Sequence, residues 1–150
     1  MGLDMYLTAR YFIFDDKQRK SVKAPLIPGL KGMKIEKIIC EGVYWRKANH
    51  IHKWFVDNVQ EGKDDCGEYY VSREKLKELL LLVNAVKKTQ KNSGRPSAIA
   101  KNKLPTASGF FFGGTDYDED YFRDLEETEK GIKKMLRMPK GWDFYYHASW

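Results

Sequence analysis

A change of hydrophobic period constrains this chain more than any other feature. Residues 3–13 alternate: Leu3, Met5, Leu7, Ala9, Tyr11 and Ile13 share one face, and Asp4, Tyr6, Thr8, Arg10 and Phe12 share the other. A period of two over this length is a strand with one buried face. Further along, Ala48, Ile51, Phe55 and Val59 recur at helical spacing, with His52 on the same side and Trp54 opening a neighbouring stripe. One chain that holds both patterns must bury a sheet face against helix faces.

The remaining segments fill in that scheme. Residues 15–32 carry Pro25, Pro28, Gly29 and Gly32 and read as turn and loop. Residues 33–44 return to β-branched and aromatic content and predict a second strand. The first helix ends at Glu61-Gly62, and residues 67–71 predict a short strand. Ser72 caps a second helix, whose apolar face is Leu76, Leu79, Leu80, Val83 and Val86. The stretch at about 87–104 is basic, holds no acid and predicts a long loop. Gly109-Phe-Phe-Phe-Gly113 predicts a short buried strand, and Asp116 with Glu119 a capping box. A third helix follows through Tyr121, Phe122, Leu125, Ile132 and Leu136, stopped by Pro139 and Gly141. The closing segment puts Trp142, Phe144, Tyr146 and Ala148 on one face of a last strand. The expected fold is α+β: a mixed, mostly antiparallel sheet of about five strands with three helices packed on it, in one domain spanning 1–150.

At 150 residues the chain is long enough for a core without staples, burying roughly 70% of its unfolded surface. Aromatic residues make up 14% of it, including four Trp, an unusual load in a residue class that concentrates in cores and contact surfaces. Cys40 and Cys66 make no disulfide framework, and residues 1–10 lack a basic leader, so a cytoplasmic setting is expected. No run approaches the ~20 apolar residues of a membrane span. The net charge of +6 permits an acidic partner without requiring nucleic acid.

Motifs that announce catalysis are missing: there is no Walker loop, no G-x-G-x-x-G and no G-x-S-x-G. His50 and His52 sit two apart and point to different sides of a helix, so no metal site and no cofactor are assigned. The stretch from Trp45 to His52 sets an indole, two cations, an amide and two imidazoles around a helix start, where free backbone N–H groups favour an anion. The plain alternative is a core Trp beside a polar helix face. The run Asp116 to Glu129 holds eight acids against Arg123, and reads first as a solvated helix face able to pair with the basic loop.

Taken together, Met1-Gly-Leu-Asp-Met-Tyr-Leu7, Trp45-Arg46-Lys47-Ala48-Asn49 with Ile51-His52 and Trp54-Phe55, Gly109-Phe-Phe-Phe-Gly113 with Tyr117-Asp118-Glu119, and Phe144-Tyr145-Tyr146 with Ser149-Trp150 resemble a family of small uncharacterised bacteriophage and prophage proteins. The resemblance spans nearly the whole chain and implies a setting, the host cytoplasm, but transfers no catalytic residue. It implies an accessory protein that binds a host macromolecule, with inhibition of a defence nuclease as one instance.

Three functional readings follow. The first is that interaction protein. The second is a pocket for a nucleotide or another anionic ligand, built from Trp45, Arg46, Asn49 and His52 with Tyr117 approaching from the third helix. The third is nucleic-acid binding through Lys87, Lys88, Lys91, Arg95, Lys101 and Lys103. It ranks last because that stretch has no aromatic residue on which a base could stack.

Overall fold

The alternation of residues 3–13 becomes the middle of a four-stranded sheet in a computed structural model that describes residues 2–22, 28–90 and 98–150. Strand β1 (Asp4–Phe12) pairs antiparallel with β2 (Lys37–Arg46) on one side and β4 (Trp142–Ser149) on the other. The short β3 (Glu68–Val71) adds to the far edge of β4, giving the order β2-β1-β4-β3 with every pairing antiparallel. Between β1 and β2 lies α1 (Asp16–Ser21), closed by a capping box between Asp15 and Gln18. The other helices are α2 (Asn49–Asn58), α3 (Arg73–Lys87), α4 (Ala98–Lys103) and α5 (Glu119–Leu136).

Period two decides which side of the sheet the helices cover. Leu3, Met5, Leu7 and Ala9 are buried, as are Val43 and Trp45 on β2, Val71 on β3, and Phe144, Tyr146 and Ala148 on β4. Against them pack Ile51 and Phe55 of α2, Leu76, Leu79 and Val83 of α3, and Leu125 and Ile132 of α5. Helix α5 lies close on β2: a Cβ added at Gly131 would come within 2.4 Å of the Val43 side chain, so glycine sets that approach. The opposite face carries a row of rings, Tyr44, Tyr6 and His147, with neighbouring centroids 5.3 and 6.1 Å apart. Tyr145 and Tyr70 extend it at 5.8 Å, and the Arg10 guanidinium sits 4.2 Å over Tyr145. On this face Arg10 pairs with Glu68, and the Tyr44 hydroxyl donates to Asp4.

The α+β expectation holds, with its antiparallel sheet and helices packed on it. Several details differ. There are four strands and five helices among the described residues, because two short helices occupy stretches expected to be loop. A helix of six residues shows too little of a 3.6 period to be read. The second strand starts later than expected and runs on to Arg46, so Trp45 belongs to β2 and not to a helix start. Gly109–Gly113 is a turn, not a buried strand. Asp118, not Asp116, caps α5, accepting the Tyr121 backbone N–H at 3.1 Å. The basic stretch is partly helical, with Lys87 ending α3 and Lys101 and Lys103 on α4. Lys91 and Arg95 lie outside the described residues. Lys87 also meets the acidic run, its Nζ 2.6 Å from Glu129 Oε2.

Candidate functional site

Where β2 ends, Lys47 takes a left-handed conformation (φ 62°) and turns the chain into α2. Its backbone N–H donates to the Leu3 carbonyl at 2.7 Å, which ties this corner to the first residues of the chain. Asn49 follows, buried, and spends its whole amide on a loop far along the sequence. Its Nδ2 donates to the carbonyls of Phe112 (3.2 Å) and Gly114 (2.8 Å), and its Oδ1 accepts the Ala107 N–H at 3.0 Å. Three hydrogen bonds from one buried side chain hold the 107–114 loop in a single shape.

What that shape does is display aromatic side chains. The Phe112 N–H donates to the Gly109 carbonyl at 3.2 Å, closing a turn with Phe110 and Phe111 at its two central positions. Phe112 is buried at the base against His52, whose ring centroid is 5.4 Å away. Phe110 and Phe111 are 79% and 50% exposed, their rings 4.3 Å apart edge to face. Phe111 has φ 61°, at the turn position normally given to Gly or Asn. A bulky side chain in that region is a genuine outlier, costing roughly 1–3 kcal/mol. Trp150, 40% exposed, lies 6.0 Å from Phe112 at the base of the turn.

Beside this finger, a cleft of about 430 Å³ opens between the end of β2, the start of α2, the 113–118 loop and the first turns of α5. Arg46, Lys47 and Arg123 bring cations; Asp116, Asp118, Asp120 and Asp124 bring carboxyls; His50 and Tyr121 also line it. A groove of about 650 Å³ along β2 and α5 shares Arg46, Arg123 and Asp124 with the cleft. The His50 ring packs 4.2 Å from Tyr121, and burial lowers its pKa to about 3, so the imidazole is neutral. Its Nε2 has no hydrogen-bond partner among the described residues. Burial, and then the charges of Glu127, Asp120 and Asp118, raise the Asp124 carboxyl to about 7 against the opposing pull of Arg123. Burial also pushes the Tyr121 hydroxyl up, and it donates to the Leu104 carbonyl at 2.8 Å.

The five residues expected to form one ligand pocket separate. Arg46 and Asn49 reach the cleft, although Asn49 is fully engaged by the loop. Trp45 points the other way, as adjacent strand residues must, and its Nε1 donates to Thr128 Oγ1 at 2.8 Å inside the core. His52 is also interior: its Nδ1 lies 2.8 Å from the Tyr146 hydroxyl and its Nε2 2.9 Å from Asp64 Oδ1. Burial lowers its pKa, partly offset by Asp64, and burial holds Tyr146 protonated. The hydroxyl therefore donates to Nδ1 and the imidazole Nε2–H to Asp64. Tyr117 precedes α5, packs 4.9 Å from Tyr121 and accepts the Thr106 N–H at 3.4 Å, outside the cleft. Nothing in the sequence singles out Asp124, since one acid among eight carries no sign of its burial. Among the described residues no three metal-ligating groups converge, and no helix is long and apolar enough to cross a membrane. The chain matches no protein-family model, no curated protein and no solved structure.

Proposed function

We propose that this protein acts by binding another protein, and that Phe110 and Phe111 are the anchor that enters the partner. The observation that carries this reading is the exposed phenylalanine pair, strained at Phe111 and held out by the Asn49 clamp. Strain kept in an exposed turn has no benefit for the fold itself, whereas a rigid aromatic pair loses little entropy on docking. Aromatic anchors in desolvated pockets dominate interface energies, each contributing about 2 kcal/mol or more. The family resemblance makes the partner a host macromolecule and the protein a phage accessory factor, with a defence nuclease among the candidate partners. The basic stretch supports the nucleic-acid reading less well, because Lys87 is spent on Glu129.

The test is affinity capture from host lysate with the wild-type chain and a Phe110→Ser/Phe111→Ser variant. A stoichiometric partner held by the first and lost by the second supports the reading. Capture of no partner, or equal capture by both chains, overturns it.

A further inference from the structure

We propose that a second copy of this chain docks on the free edge of β2, pairing residues 37–41 antiparallel with the same residues about a two-fold axis through Ile39, so that Lys37 of each copy faces Glu41 of the other.

The backbone defines where such pairing can occur. Among the described residues nothing pairs with the outer side of β2, which is ten residues long against four for β3 at the other edge. An edge of that length presents a row of unpaired N–H and C=O groups to another strand. Two hydrogen bonds bracket β2 and fix which residues own them: the Lys47 N–H donates to the Leu3 carbonyl at 2.7 Å, and the Ile13 N–H to the Glu36 carbonyl at 2.9 Å. Bonded and non-bonded pairs alternate along an antiparallel ladder, so the odd residues of β1 are the ones that bond β2. Ala9 faces Cys40 and Tyr11 faces Ile38, so Cys40 and Ile38 turn their backbone groups to β1. Lys37, Ile39 and Glu41 turn theirs outward. Thr8 faces Glu41 and Leu7 faces Val43, which leaves Gly42 as a bulge that reverses the alternation. The uniform part of the edge is therefore 37–41.

The side chains choose the register. A strand added by two-fold symmetry must set outward residues against outward residues. An axis through Ile39 does so, with Lys37 opposite Glu41 twice and Ile39 opposite Ile39. An axis through Ile38 sets Lys37 against Ile39, and one through Cys40 sets Glu41 against Ile39 and Lys37 against Val43, past the bulge. An axis through Glu41 sets two carboxylates face to face. Opposite charges directly across a strand pair stabilise it and like charges destabilise it, so charge complementarity selects Ile39. Lys37 and Glu41 are exposed and make no ion pair among the described residues. Ile39 is 49% exposed on the open sheet face beside Arg10, and pairing removes it from water in both copies. The contact is isologous and closes at two copies. It is small, so the dimer is a weak one.

The experiment is sedimentation equilibrium of the full chain from about 10 μM to about 1 mM, with crosslinking to read the register. A reversible monomer–dimer equilibrium is expected. Glu41→Lys, which sets lysine against lysine twice, should weaken it at least about tenfold without changing the monomer's circular dichroism, and Lys37→Glu/Glu41→Lys should restore it to within about threefold. Ile38 of one copy faces Cys40 of the other in a non-bonded pair, where Cα atoms about 4.5 Å apart suit a disulfide. Ile38→Cys/Cys66→Ser should therefore form a covalent dimer on mild oxidation, and Ile38→Cys/Cys40→Ser/Cys66→Ser should not. Phe110→Ser/Phe111→Ser should dimerise as wild type, since the finger takes no part. A monomer across the whole range overturns the proposal. So does a dimer that the charge swap fails to restore, one that crosslinks equally without Cys40, or one that the phenylalanine substitutions abolish.

Discussion

Replacing Phe111 by alanine and by glycine isolates the strain in the finger. Both changes remove the same half-exposed ring, losing about 1 kcal/mol of burial, half of what a fully buried Phe contributes. They differ in the backbone. With φ at 61°, alanine keeps the left-handed penalty of roughly 1–2 kcal/mol and glycine does not. Phe111→Gly should therefore be more stable than Phe111→Ala by about 1 kcal/mol, or 2–4 °C in Tm for a chain of this size. Phe110, one residue earlier, is not among the left-handed positions. There the order should reverse, with glycine the worse by roughly 0.5–1 kcal/mol. Four thermal melts decide the matter. If glycine is no better than alanine at 111, or the two sites show the same sign, the turn is not strained and the argument from strain fails.

Tyr146→Phe should cost about 1–3 kcal/mol in denaturant unfolding, because it leaves His52 Nδ1 buried without a partner. Asp64→Ala should cost less, since Asp64 is partly exposed and water replaces it. Asp124 has a folded pKa of about 7 against an ordinary value of 3.8, so its ionisation opposes folding, and its contribution worsens as pH rises across that window. Asp124→Asn should therefore stabilise the chain at pH about 8 and change it little at pH about 4, read from Tm against pH. His50 acts in the opposite sense: buried neutral with a pKa of about 3, it withdraws stability as pH falls from about 6.5, and His50→Gln should blunt that acid loss. Removing residues 142–150 deletes the strand that joins β1 to β3 and should abolish cooperative melting.

Strands and long helices were legible because their burial is one-sided. Leu3, Met5 and Leu7 alternate with Asp4 and Tyr6 just as the sheet alternates core and surface. The same rule, carried two residues further along β2, would have parted Trp45 from Arg46. The finger was not legible. Three phenylalanines between glycines show no period, and the hydrophobic reading buries all of them. Asn49 sets the turn through contacts 58 to 65 residues away in sequence, which no local pattern reports. The spacing places His52 on the apolar side of α2, where it is buried, but its partners Tyr146 and Asp64 come from outside α2.

The most direct test of the central claim is a photo-crosslinking residue at position 110, introduced in living cells, with the same residue at Tyr70 on the open sheet face as control. Both positions are strongly exposed, at 79% and 57%, so random encounter labels them alike. The account predicts one dominant protein adduct from position 110, absent at position 70 and lost when Asn49→Ala releases the loop. Equal diffuse labelling at both positions, or a dominant adduct only at position 70, would contradict it.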